Sequence, residues 1–566
     1  MENYLMTYLF NANTSVINEV EVKNDANSSL NVSVTNWSTY SNANITSSIT
    51  LTANIQNNNS VVSTSNPFPV TTTGSSTVTL DLGATGTSAF GELSTIQMTP
   101  FVQLDAIYGL NVFDFVTSNT GVGSVANTDS TSTLFKVQSG TSTNGAARIG
   151  SRKFLRYRPG QGALCRFTAA FSSGVALSTQ QAGFTDTESA LSVGYDGTDF
   201  GVVRITGGRI PIYRLTIATA PTGTQTATIT LDGVAKTVTL HAGTSTNAAV
   251  EIFNAGGFTG WEIEQIANTV IFRNDDTKVT PGTFSFSSGG NATGSFAAIQ
   301  VGVAQTEIWT KQADFSVDTL DGSGDANNPS HMHLHPDKLN VYQISFRWLG
   351  AGMISFSIED EITGKFMVFH QIHYTNQYSL PHVENPSFNC GYTVSNRGSS
   401  TNLIITGASM MMGIEGMINV TRSTKAASAS ISSAAKDVVT HVISLRNSYS
   451  YMNKLNALSL NFKKLSYAFQ STDPVEIFIF QNPTTSAPLA FVDLPGSCST
   501  YSTTAATIDP ATNNPIGIFS VGVNGESSLS ISDMLISEPP GSVITFAVRS
   551  TSAIAKTLIA AIWTED

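Results

Sequence analysis

Three histidines at alternate positions, His331-Met332-His333-Leu334-His335, have the spacing best suited to metal chemistry in this chain. In an extended segment alternate side chains share a side, so the three imidazoles can point one way. Neutral imidazole nitrogens are good ligands for Zn, Fe, Ni or Cu. The competing reading is a hydrogen-bonded surface loop that holds no ion. Just upstream, Asp321-Gly322-Ser323-Gly324-Asp325 places the oxygens of Asp321, Ser323 and Asp325 at alternate positions, as Ca²⁺ loops do. The distal bidentate Glu of an EF-hand is lacking, and Asp/Gly turn chemistry accounts for the same residues.

Glu359, Asp360 and Glu361 raise glycoside hydrolysis, because Glu359 and Glu361 could share a face as a carboxylate pair. The Ile362-Thr363-Gly364 turn that follows makes them solvated charges at a hairpin tip instead. Gly121-Val122-Gly123-Ser124-Val125-Ala126 fits a dinucleotide fingerprint by letters alone, since Asn127-Thr128-Asp129-Ser130 cannot open the helix such a site needs. No P-loop, His-Glu-x-x-His or Gly-x-Ser-x-Gly motif occurs, so the expectation is a protein without catalysis. One basic cluster stands out: Arg148, Arg152, Lys153, Arg156, Arg158 and Arg166. On an extended strand Arg152, Arg156 and Arg158 share one side. Three arginines on an acidic protein point to carboxylate partners, within the fold or across a subunit interface.

The elements that hold these residues must be strands. Charged residues are 12% of the 566, about half the usual ~25%, and Ser, Thr, Asn and Gly fill the gap. β-Branched Thr suits a pleated surface, and Asn and Gly supply the positive φ of tight turns. Tyr342, Ile344 and Phe346 alternate with polar neighbours, as do Ile354, Phe356 and Ile358. Thr363-Gly364 then turns the chain into Lys365–His370, which completes an antiparallel meander. Upstream, 152–158 and 163–167 read as a hairpin around Pro159-Gly160-Gln161-Gly162. Asp232-Gly233 separates two β-rich runs in the manner of a type I′ turn, and 247–254 can form a short helix. Alternation also marks 48–55 and 76–82, while 426–435 reads as a Ser/Ala-rich linker.

A chain this long needs several cores. The expected organisation is all-β: an N-terminal β domain at 1–96, a sandwich from 97–205 and 305–418, a small α+β insertion at 206–304, and a C-terminal β-sandwich at 419–566. The formal charge of -12 argues against nucleic acid as the main partner. Cys165, Cys390 and Cys498 encode neither a disulfide framework nor a thiolate zinc site, which fits a reducing compartment. The opening residues lack the pattern of a signal peptide, and no apolar run is long enough to cross a membrane as a helix. Six Asn-x-Ser/Thr sequons, at Asn13, Asn27, Asn31, Asn36, Asn44 and Asn58, are expected by chance in so Asn/Thr-rich a stretch.

Arg152-Lys153-Phe154-Leu155-Arg156-Tyr157-Arg158-Pro159-Gly160-Gln161-Gly162, together with 341–350, 354–359, Asn385-Pro386-Ser387-Phe388 and the ending Ile562-Trp563-Thr564-Glu565-Asp566, resembles structural proteins of tailed bacteriophages and large DNA viruses. The resemblance covers roughly 97–205 and 305–566. It implies a concanavalin-like jelly-roll centre and a place on the tail, fibre or capsid surface of a virion assembled in host cytoplasm. It further implies other virion proteins as partners and host-surface contact. Copies of the chain itself, with a trimer expected, are partners on a separate ground, since an acidic, low-charge β chain with several edge strands needs those edges covered. For His331, His333 and His335 the resemblance suggests iron held by His-x-His pairs from three chains around an axis. Two other functions compete: an adhesin that binds a surface glycan, and a glycan depolymerase.

Overall fold

The computed structural model describes residues 98–566, apart from 112–113, 130, 275, 278–280, 348 and 417–422, together with six short strands between Tyr8 and Val61. Residues 1–95 form a unit of their own, in which Val22–Asn24 pairs with Leu30–Val32. The runs at 48–55 and 76–82 and the six sequons lie largely or wholly outside the described residues. From Met98 onward the chain is strand upon strand, paired antiparallel throughout the described ladders, so the all-β class holds.

Two sheets face each other in the central sandwich. One runs Phe366–Ile372, Ile354–Glu359, Asn340–Phe346, Ala163–Phe171, Ile404–Gly407, Leu134–Gln138, Val125–Asp129, with Ser409–Glu415 and Met98–Asp105 continuing from Ala163–Phe171. The other runs Thr306–Lys311, Asp199–Thr206, Ala190–Asp196, Ser178–Thr185, Cys390–Asn396, Ala146–Ser151, Phe115–Thr120. The meander expected at 341–370 is present, with Tyr342 opposite Ile358 and Phe356 opposite His370. Its apolar alternation fills the space between the sheets: Tyr342, Ile344, Ile354, Phe356 and Ile358 are wholly buried. Phe346 meets Phe184 and Phe388 edge-on, with both pairs of centroids 5.4 Å apart.

Two local expectations fail. Residues 152–158 do not pair with 163–167: the chain bends at Arg152 and Lys153, and only Leu155–Arg156 is extended, against Ser387–Phe388. Ala163–Phe171 pairs instead with Asn340–Phe346 and Ser409–Glu415. Long-range partners take the strand that the sequence pattern gives to a local turn. Most of the expected linker is also a strand, Thr424–Ile431, paired with Ile554–Glu565. Its alternation is written in small residues, with Ala427 and Ala429 turned inward and Ser428 and Ser430 exposed.

Residues 212–300 fold around their own core of Leu215, Ile217, Ile229, Leu240, Ala248, Ile252 and Phe272. Asp232 (φ +50) and Gly233 (φ +77) take the paired positive dihedrals of a type I′ turn between Gln225–Leu231 and Val234–Leu240. The helix Ser245–Ala255 starts where the Thr244 hydroxyl accepts from the Asn247 N–H and stops at Gly256, φ +48. After Thr424, a five-stranded and a six-stranded sheet enclose another core, built on Leu445, Phe462, Ile477, Phe546 and Trp563.

Candidate functional site

The histidine and acid motifs meet in one double loop. Leu334 N–H donates to Leu320 O (2.9 Å) and Gly322 N–H to Met332 O (3.1 Å), so the two segments lie side by side. Met332 and Leu334 point into the core while His331, His333 and His335 are exposed. The alternation read from the sequence is therefore real. The rings of His333 and His335, however, stack at 4.6 Å with planes 29° apart. Imidazole lone pairs lie in the ring plane, so stacked rings do not aim them at one ion. Among the described residues, no group of three or more His, Cys, Asp or Glu side chains gathers as a metal cage. Chelation here requires ring rotation or donors from other chains.

One oxygen of each carboxylate in the Asp321 loop is taken by the loop's own backbone. Asp321 Oδ1 accepts from Ser323 N–H (2.9 Å), and Asp325 Oδ1 from the N–H groups of Asn327 (2.7 Å) and Asn328 (3.1 Å). Ser323 Oγ takes a longer bond from Asp325 N–H, 3.4 Å. Hydrogen bonds from Ser323 hold the Asp321 carboxyl below its ordinary pKa. Beneath them the buried Asp318 carboxylate accepts from Leu320 N–H, Ser330 N–H and Asn328 Nδ2 and organises the loop. These are Asx turns.

The arginines separate. Arg158, 8% exposed, is ion-paired with Asp566, so its carboxylate partner lies within the fold. Arg152 is half-buried, with Nη2 on Phe115 O, and Arg156 sits half-buried in the short strand at Leu155–Arg156. The bend at 152–153 breaks the single strand face on which the three were expected. At the hairpin tip Asp360 accepts from the N–H groups of Ile362 (2.9 Å) and Thr363 (2.7 Å), which lowers its pKa, while Glu361 is exposed. Gly121 and Gly123 form a turn between Phe115–Thr120 and Val125–Asp129, with a strand and not a helix following.

Sequence reasoning missed the junction where three cores meet. Arg446, from the C-terminal sandwich, lies 3.0 Å from the Glu264 carboxylate, donates to Gln265 O, and stacks 3.9 Å above the Phe491 ring. Both charged side chains are almost fully buried, at 6% and 1% exposure. Burial pushes the Arg446 pKa down, and Glu264 opposes the shift. Phe491 completes the seam, accepting from Ala267 N–H (2.6 Å) and donating to Gln265 Oε1 (3.0 Å). On the other side Glu188 Oε1 accepts from Ile210 N–H (2.9 Å) and Gln300 Nε2 (2.8 Å), which hold both ends of the 212–300 unit.

Between these seams lies a cleft of about 630 Å³ on the outer face of the seven-stranded sheet. Register fixes which side chains pave it. Ser118, Arg148, Thr393 and Gln181 stand in one cross-strand row, and Thr120, Ala146, Ser395 and Thr179 in the next. Their neighbours Ala147, Ile149, Tyr392 and Val394 face the core. Glu262 and Arg273 from one unit and Tyr449 and Asn456 from the other wall it in. The sequence carries only the polar run Ser178-Thr179-Gln180-Gln181, which the structure makes part of a strand, Ser178–Thr185, buried along its whole length.

No known family profile and no curated protein sequence matches the chain. Among solved structures, one match is a chain from "The Triple Jelly Roll Fold and Turret Assembly in an Archaeal Virus", 12% identical over 70% of this chain and 90% of that one, with a TM-score of 0.14. A chain of Sulfolobus Turreted Icosahedral Virus is 10% identical over 70% and 97%, also at 0.14. The Faustovirus major capsid protein is 7% identical over 80% and 89%, at 0.06. At scores this low the sandwich description rests on the strand pairing alone.

Proposed function

We propose that the chain is a non-enzymatic structural subunit of a virus particle that works by assembling with copies of itself and with other virion proteins. The observation that carries this reading is an uncharged edge strand. Pro515–Val521 ends the six-stranded sheet, paired among the described residues only with Val475–Gln481, and turns Ile516 (39% exposed) and Ile518 (51%) outward. Such an edge invites another chain unless charge or proline blunts it, and its one proline, Pro515, stands at the very end. The buried seams at Arg446 and Glu188 support the same reading, because a rigid multi-core body suits repeated packing.

The test is sedimentation of the purified chain over a wide concentration range, beside Ile518→Lys. The wild type is expected to form a closed oligomer, a trimer being the favoured form, and the variant to dissociate. A wild-type monomer at the highest concentration overturns the subunit reading. Gold-labelled antibody against the chain should then decorate intact particles.

A further inference from the structure

The cleft on the outer face of the seven-stranded sheet is built for a ligand that hydrogen-bonds without carrying charge. Its depth is graded: Ser118 and Thr120 are exposed at the open edge, Thr393 and Ser395 are half-buried, and Gln181 and Thr179 are 7% and 3% exposed at the inner end. A nearly buried amide normally finds a partner. Among the described residues, no group hydrogen-bonds the Gln181 side chain, nor the hydroxyls of Thr179, Thr393 and Ser395. They line the cleft with donors and acceptors to spare.

The charged side chains that also line the cleft offset one another, four arginines against four acids. Arg273 pairs with Glu262, and Arg397 holds Glu307 through two nitrogens at 2.5 and 3.0 Å. Arg148 donates to Thr185 O and Asn389 Oδ1. Beside these offsetting charges, the groups left without a partner are one amide and a grid of hydroxyls, on strands about 4.8 Å apart. Half-buried Phe154 and Tyr449 add apolar ring surface to the walls. Vicinal hydroxyls on a ring with an apolar face match both features, whereas a phosphate or sulfate would need an excess of cations that the four acids deny it.

We propose that this cleft binds an uncharged oligosaccharide, with Gln181, Thr393 and Ser395 hydrogen-bonding its hydroxyls. The volume lies within the usual range for small-ligand sites, about 300–1,000 Å³. The proposal stands apart from the virion reading, since it concerns the isolated chain.

The purified full chain is applied to an array of neutral, sialylated and sulfated glycans, and the best neutral oligosaccharide is then titrated by calorimetry. Gln181→Ala and Thr393→Val are each expected to weaken binding about five- to tenfold, the worth of one hydrogen bond. Glu359→Gln, at the hairpin tip outside the cleft, should bind as the wild type does. Near-UV circular dichroism checks that each variant is folded, and Ser118→Val at the open edge replaces any that is not. Capture of no neutral glycan, capture of charged glycans alone, or unchanged affinity in the folded cleft variants overturns the proposal.

Discussion

Glu188 is nearly buried, yet its carboxylate serves two donors from the far side of a chain crossing, Ile210 N–H and Gln300 Nε2. Burial, with a smaller push from the neighbouring Asp186, raises its pKa to about 7 against the pull of those hydrogen bonds and of Arg273. Asp186 is itself raised by burial, with Arg148 opposing. The folded-state pKa of Glu188 thus exceeds its unfolded value of 4.5, and the native chain binds the extra proton between the two. Stability from this group is greatest below pH 4.5 and is lost as pH rises toward 7. The change is at most about 3 kcal/mol. Glu188→Gln keeps an acceptor for Ile210 N–H without the charge. Urea denaturation should find the variant more stable than wild type at pH 8 and similar at pH 5, and the same pH slope in both proteins would refute this role. Nothing local announced the residue: Asp186-Thr187-Glu188 reads as a surface turn, and its partners stand 22 and 112 positions away. The histidine alternation, in contrast, was legible because period two is a local property of strands; the stacking of His333 on His335 was not.

At the scale of elements, the seam between 212–300 and the C-terminal sandwich depends on one buried ion pair. Removing one partner strands the other charge, at a cost of about 3–5 kcal/mol. Arg446→Met and Glu264→Gln should each destabilise by that order, and the double variant by clearly less than their sum. A denaturation double-mutant cycle measures the coupling; additive effects would mean that the pair contributes nothing of its own. The elements that the sequence made legible were those whose partners are near: the 341–370 meander and the Asp232-Gly233 hairpin. Those misread had distant partners. The local pattern pairs Ala163–Phe171 across the nearest turn, but its registers run to Asn340–Phe346 and Ser409–Glu415. Thr424–Ile431 was hidden because alanine marks an inward face more weakly than valine or isoleucine does.

For the whole molecule the open question is whether 206–304 is an insertion that the sandwich can lose. Thr206 and Thr306 are directly opposite each other in the ladder between Asp199–Thr206 and Thr306–Lys311. Opposed residues of an antiparallel pair have Cα atoms only about 4.5–5.5 Å apart. A short Gly/Ser turn can therefore replace everything between them without moving either strand, and the inter-sheet core takes none of its residues from that span. The losses fall on the seams: Glu188 would regain solvent, and Arg446 and Phe491 would lose Glu264 and Gln265. Because Arg446 would become exposed rather than stranded in a dry interior, the penalty should be modest. The shortened chain should keep its near-UV circular dichroism signal and a cooperative melt, with the midpoint lowered by several degrees. A molten, non-cooperative product would show that 206–304 completes the central fold. Glycan binding would discriminate further, since the shortened chain retains Gln181, Thr393 and Ser395 but lacks the wall bearing Glu262 and Arg273. Weakened binding with a cooperative melt is the outcome expected of a cleft that the insertion encloses but does not build.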